Sequence, residues 1–86
     1  MSRPERLSDD AYQAMLEGQG YGCAICGGVP KRQKKDGSLY RLMTDHNHRT
    51  GRVRGLLCFQ CNHLVLGKFA QPERLRRAAD YLERYA

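Results

Sequence analysis

No stretch of this chain is apolar enough to cross a membrane. Its longest apolar runs, such as Leu64-Val65-Leu66, fall far short of the roughly 18 residues a span needs. No signal peptide is visible, because Arg3, Glu5 and Arg6 lead into Asp9 and Asp10 with no apolar segment behind them. Internal repeats and low-complexity tracts are missing too. Acidic side chains are scarce, nine against fifteen Lys and Arg, so the 86 residues carry a formal net charge of +6. These absences argue against a membrane protein and a secreted disulfide scaffold, and they lead us to expect a basic cytoplasmic protein. The length allows one domain, residues 1–86, with a thin core. Domains this short often recruit a disulfide or a metal to hold the fold, so the four cysteines need explaining first.

The positive charge is local. Between Lys31 and Arg54 stand eight basic residues (Lys31, Arg32, Lys34, Lys35, Arg41, Arg49, Arg52, Arg54) and only two acidic ones, Asp36 and Asp45. Outside that window seven basic residues balance seven acidic ones. Such a field attracts a polyanion, and nucleic acid is the commonest. A solvated Lys/Arg-rich loop would look the same.

Ser8 reads as an N-cap with Asp9 and Asp10 in the first helical turn, where carboxylates complement the helix dipole. Leu7 and Tyr12 have the spacing of a hydrophobic staple, and Gly18 with Gly20 ends the helix. Lys35-Asp36-Gly37-Ser38 reads as a hairpin turn followed by a strand over Leu39–Thr44. Thr50-Gly51 marks another turn, with a short strand over Arg52–Arg54 pairing back across it. The next run, Leu56–Leu66, reads as a helix closed by Gly67. A last helix, at about residues 72–85, has Pro72 at its first position and an apolar stripe of Leu75, Ala78, Ala79, Leu82 and Tyr85. That stripe is expected to pack on the rest of the domain.

Cys23-x2-Cys26 and Cys58-x2-Cys61 are two knuckles separated by 31 residues. Two intervening residues let both sulfurs of a knuckle reach one tetrahedral ion at about 2.3 Å. A disulfide pair is the alternative, disfavoured by the basic composition and the missing signal peptide. The spacing predicts one structural zinc held by Cys23, Cys26, Cys58 and Cys61. Four thiolates leave no open position for substrate, so this ion performs no Lewis-acid chemistry.

Between the knuckles lies Asp45-His46-Asn47-His48, and Asn62 directly follows the last cysteine. Asp and Asn offer hard oxygen ligands suited to Mg2+ or Mn2+. An imidazole beside them can take a proton from water near neutral pH.

Together, Cys23/Cys26, Asp45-His46-Asn47-His48, Thr50 to Cys58, Cys61-Asn62 and Leu66-Gly67 resemble the recombination endonuclease VII branch of the HNH (ββα-metal) nucleases. The resemblance implies a small α+β domain, a zinc-stabilised ββα-metal (His-Me finger) core at about residues 21–67 with flanking N- and C-terminal helices. It implies a DNA endonuclease in which Asp45 and Asn62 bind one catalytic Mg2+ or Mn2+. His46 would be the general base and His48 would assist at the phosphate. Cleavage would leave 5′-phosphate and 3′-hydroxyl ends. DNA, including branched or nicked forms, is the expected partner, and a phage or prophage the expected origin. Junction-resolving members of this branch are longer and dimerise through extra C-terminal helices, so a monomer acting as a nicking or nonspecific nuclease is expected here.

Blander readings stand beside these. His46 alone could be a surface histidine, and His48 could serve the loop structurally. His63 points about 100° away from Asn62 around the helix and is left out of the site. Arg49, Arg52 and Arg54 suit phosphate forks, whereas Lys31, Arg32, Lys34 and Lys35 suit a loop that tracks the DNA backbone. The competing class is a zinc-ribbon module that binds nucleic acid without cutting it. Such a module has no need of Asp45-His46 with Asn62, because a carboxylate near phosphate opposes binding unless a cation intervenes.

Overall fold

The computed structural model describes residues 5–31, 33–67 and 70–85. Helix α1 spans Asp9–Gly18. Its start follows from the sequence: extended Ser8 accepts the Ala11 N–H on its hydroxyl oxygen at 3.1 Å, satisfying one of the unpaired first-turn donors. Leu7 and Tyr12 both pack on the core, as a staple should. The Tyr12 hydroxyl also donates to the Leu42 carbonyl at 2.7 Å, fixing α1 to the chain that enters the sheet.

The sheet is one antiparallel hairpin of β1, Met43–His46, and β2, Val53–Leu57. Met43 faces Leu57, Thr44 faces Leu56, Asp45 faces Gly55 and His46 faces Val53, so Arg54 is an extra residue in a bulge. The connecting loop is closed from within by Asn47. Its side-chain oxygen accepts the Arg49 and Thr50 N–H groups, and its carbonyl accepts from Gly51, which needs its φ of +76° to make the turn.

Two expected elements are corrected. The strand expected over Leu39–Thr44 begins only at Met43. Leu39 makes an isolated bridge to Gln33 across the Asp36-Gly37 turn, and the Leu42 carbonyl is taken by Tyr12 rather than by a neighbouring strand. The helix expected over Leu56–Leu66 is shorter, because Leu56 and Leu57 belong to β2, which extends past Arg54, and are buried there. The helix that follows is Gln60–Leu66, a π-helix in which the Gly67 N–H donates to the Asn62 carbonyl at 3.1 Å.

Cys23, Leu42, Leu56, Leu57 and Cys61 form the buried core, and Tyr12, Met15, Leu16 and Leu66 pack against it. Gln19, just past α1, acts as a substitute strand residue. Its amide nitrogen donates to the Leu56 carbonyl and its oxygen accepts the Leu56 N–H, both at 2.9 Å. Helix α2, Pro72–Arg84, has its expected proline start and a Glu73–Arg77 ion pair at 3.2 Å. The expectation that its stripe packs on the domain is not met among the described residues: α2 buries none, and Leu82 and Tyr85 are exposed. A stripe containing two alanines offers little apolar area to drive such docking.

Candidate functional site

The two knuckles converge. The four cysteine Sγ atoms lie within 4.8 Å of one another, and none is joined in a disulfide. Cys26 and Cys58 are 3.8 Å apart, matching the spacing of about 3.8 Å that a tetrahedral zinc with Zn–S bonds of about 2.3 Å imposes. The turns already solvate negative sulfur. Backbone N–H groups of Ile25, Gly28 and Cys61 point at Cys23, Cys26 and Cys58, each at 3.4 Å. Burial pushes the Cys23 thiol up, but hydrogen bonds from the backbone of Cys26, Cys58 and Ile25 outweigh it and hold the group at about 6. Burial, then hydrogen bonds shared with Cys58, Cys23 and Cys26, pushes Cys61 up to about 12. One thiolate is welcome there and a further one is not, unless a cation neutralises the cluster. The four residues therefore could hold zinc. Gly22 is required beside them, since a Cβ at that position would collide with the Gly27 carbonyl in the knuckle turn.

The hairpin places the other candidates around β1. Asp45 is buried, and both its oxygens are taken by Arg54, whose Nε and Nη2 donate at 2.7 and 2.9 Å. This fork raises the Arg54 pKa further above its ordinary value. Asp45 and Arg54 line a cavity of about 260 Å³ bounded by Ala24, Ile25, Leu57 and Leu66. Asn62, in the first turn of the π-helix, donates its amide to the Met43 sulfur at 3.8 Å. Met43 and Asp45 share a side of β1 through the two-residue strand period, so Asn62 lies toward the Asp45 side.

His46 turns to the opposite side of β1. With Thr44 and Leu42 it lines a second cavity, of about 430 Å³, bordered by Glu5, Tyr12 and Arg41. Its Nε2 lies 2.8 Å from the Glu5 carbonyl. A carbonyl only accepts, so Nε2 carries the proton and a neutral ring presents its lone pair at Nδ1. Glu5 is itself fixed twice more: its N–H donates to the Gly51 carbonyl and its carboxylate accepts the Val53 N–H, both at 2.7 Å. The structure thus brings Asp45 and Asn62 to one side of the strand and seats His46 on the other. Sequence reasoning missed Glu5 and Gln19. A single polar residue before a helix cap or after a helix end carries no pattern that would flag either.

A family model for recombination endonuclease VII matches residues 1–84. The chain belongs to that family. It is 44% identical over 80 residues to the "Gene 59 protein" of Mycobacterium phage D29, covering 91% of this chain and 44% of that protein. The "Gene 59 protein" of Mycobacterium phage L5 is 42% identical over 78 residues, covering 88% of this chain and 43% of the relative. The chain therefore spans less than half the length of these relatives, which fit a phage origin. No solved structure matches, and no helix among the described residues is long and apolar enough to cross a membrane.

In this endonuclease VII family member the expected DNA-contacting residues Lys31, Lys34, Lys35, Arg49 and Arg52 are all exposed, as is His48. Arg32 lies outside the described residues. Lys34 sits 5.7 Å over the Tyr40 ring, and Arg41 stacks at 4.0 Å on Tyr12 beside the His46 cavity. Arg54 stands apart from the other basic residues because its fork is already committed to Asp45. His63 packs against Phe59 with ring centroids 4.7 Å apart.

Proposed function

We propose that the protein is a metal-dependent DNA endonuclease of the HNH (ββα-metal) type that hydrolyses phosphodiesters with low sequence specificity. The observation that carries this reading is His46, held at Nε2 by the Glu5 main-chain carbonyl. That arrangement leaves Nδ1 as a fixed base at the edge of an open cavity, which is what activating a water requires. Membership of the recombination endonuclease VII family supports nuclease activity in general.

Asp45 and Asn62 would hold one divalent ion, Mg2+ or Mn2+, which supplies positive charge to the scissile phosphate and the leaving 3′ oxygen. The donor set, a carboxylate and an amide oxygen, has the chemistry of a hard ion's ligands. His46 takes the proton of the attacking water at Nδ1, while the Glu5 carbonyl stabilises the imidazolium through Nε2. His48, from the loop, assists at the phosphate. Lys31, Arg32, Lys34, Lys35, Arg49 and Arg52 bring the duplex in by its backbone, without reading bases. Cys23, Cys26, Cys58 and Cys61 hold one zinc that fixes the helix bearing Asn62 against the hairpin, and the unit works as a monomer.

One observation favours a second reading, a zinc ribbon that binds nucleic acid without cutting: the Asp45 carboxylate is already neutralised by Arg54. A nicking assay on plasmid, linear duplex and branched DNA separates the two. Wild type should nick with Mg2+ or Mn2+, and His46→Ala should keep zinc and fold while losing about 10²-fold or more in rate. DNA binding without cutting in any of Mg2+, Mn2+, Co2+ or Ni2+ would establish the ribbon instead.

A further inference from the structure

The same arginine fork that favours a mere binding module has a different meaning if Asp45 is a metal ligand. We propose that Arg54 is the exchangeable counter-cation of Asp45. It neutralises the buried carboxylate until a divalent ion takes that place, and the freed guanidinium then grips a phosphate of the substrate. Ion binding and DNA binding thereby assist each other. The inference rests on the reading of Asp45 as a ligand of the catalytic ion.

Three features of the structure support an exchangeable pair. The partners differ in access: the Asp45 side chain is 7% exposed, whereas Arg54 is 43% exposed and reaches in from solvent. The guanidinium can therefore leave without opening the core. Arg54 is also the extra residue of the bulge, opposite neither Asp45 nor His46 in the register, so its side chain can swing without breaking a strand pair. Finally, the pair lines a cavity of about 260 Å³, large enough for a hydrated ion to enter beside the carboxylate.

The charges balance. A guanidinium and a divalent ion on one carboxylate repel each other, so the ion must compete with the fork for the same two oxygens. The displaced Arg54 needs an anion, and a phosphate offers the paired oxygens that a carboxylate does. DNA that takes Arg54 lowers the competition for Asp45, and by reciprocity the ion frees Arg54 for DNA.

The test uses the zinc-loaded, cleavage-deficient His46→Ala protein as parent, with Mn2+ affinity read by electron paramagnetic resonance with and without a short duplex. Arg54→Gln should bind Mn2+ about tenfold or more tightly without DNA. Arg54→Lys, which keeps the charge but loses the fork, should also bind more tightly than the parent. The duplex should tighten Mn2+ binding about tenfold in the parent and much less in Arg54→Gln. Zinc content and thermal midpoint check that each variant is folded. If both Arg54 variants bind Mn2+ no better than the parent, Arg54 is a fixed structural partner and the proposal fails. Asp45→Asn keeps the two failures apart. If it binds Mn2+ as the parent does, Asp45 is no ligand, and the metal assignment falls together with the exchange.

Discussion

The two clusters of potential metal ligands are built on opposite principles. The cysteines have converged, with all four sulfurs within 4.8 Å and three of them solvated by the backbone N–H groups of their own turns. The oxygen and nitrogen candidates on and beside the hairpin are dispersed: Asp45 engages an arginine, Asn62 of the π-helix a methionine sulfur, and His46 a carbonyl on the other side of the strand. Four soft thiols, two of them buried, would together present a negative charge that a single bound cation could neutralise. On the hard, hairpin side each polar group is satisfied by a local partner, and the proposed exchange at Asp45 would replace one of those partners with an ion. We expect the first to serve folding and the second activity.

The largest effect should come from breaking the soft centre. Cys58→Ser, or stripping the zinc with a strong chelator, should abolish the cooperative thermal transition seen by circular dichroism. Apparent zinc-binding energies of about 10–16 kcal/mol in small zinc domains exceed what so thin a core can replace. An intact melting curve after complete zinc removal would show that the knuckles are not what holds this fold.

Breaking the hard centre should do the reverse. Asp45→Asn keeps an acceptor for Arg54 but loses the charge, so the thermal midpoint should fall by only a few degrees, corresponding to about 1 kcal/mol. Nicking should fall by about 10²-fold or more. A variant that loses its fold as completely as Cys58→Ser would erase the distinction between the two regions.

How much of each region could be read from the sequence follows the same division. Cysteine spacing encodes a tetrahedron directly, because a two-residue turn fixes where both sulfurs point. Asp45, His46 and Asn62 were visible as residue types in order, but not as partners of Arg54, Met43 and Glu5. Those contacts depend on a bulge and on a segment some 40 residues upstream of His46. The strand at Leu56-Leu57 was misread as helix because a short continuous apolar run has no period that separates the two. The Ser8 cap was legible, since one hydroxyl at one position suffices to start a helix.

A smaller effect should come from the residue that ties the two regions together. Gln19 holds both backbone groups of Leu56, in the strand that runs from Arg54 to the second knuckle. Gln19→Ala removes the acceptor from the Leu56 N–H and should destabilise the domain by about 1–3 kcal/mol, read by urea unfolding. Zinc stoichiometry should be unchanged. Gln19→Glu, which keeps the acceptor but loses the donor, should recover part of the loss. If neither variant shifts the unfolding midpoint, the two regions are coupled through the chain alone.

The smallest effect belongs to the basic arm, outside both regions. Asp36 accepts the Ser38 hydroxyl at 2.6 Å and the Ser38 N–H at 2.9 Å, and these bonds lower its pKa below the usual carboxylate value. A carboxylate depressed in the folded state favours the folded turn fully above its unfolded pKa, and loses that contribution as pH falls through the lowered folded value. The Ser38 amide resonance should therefore titrate below pH 3.8, the ordinary value for the group. Asp36→Ala should remove that titration while leaving zinc content and Mn2+ affinity as they were. Removing one of only two acidic residues from the Lys31–Arg54 window should strengthen DNA binding slightly at low salt. If Mn2+ affinity changed as well, the arm and the hairpin site would share one electrostatic field, and the hard centre would reach further than Asp45, Asn62 and Arg54.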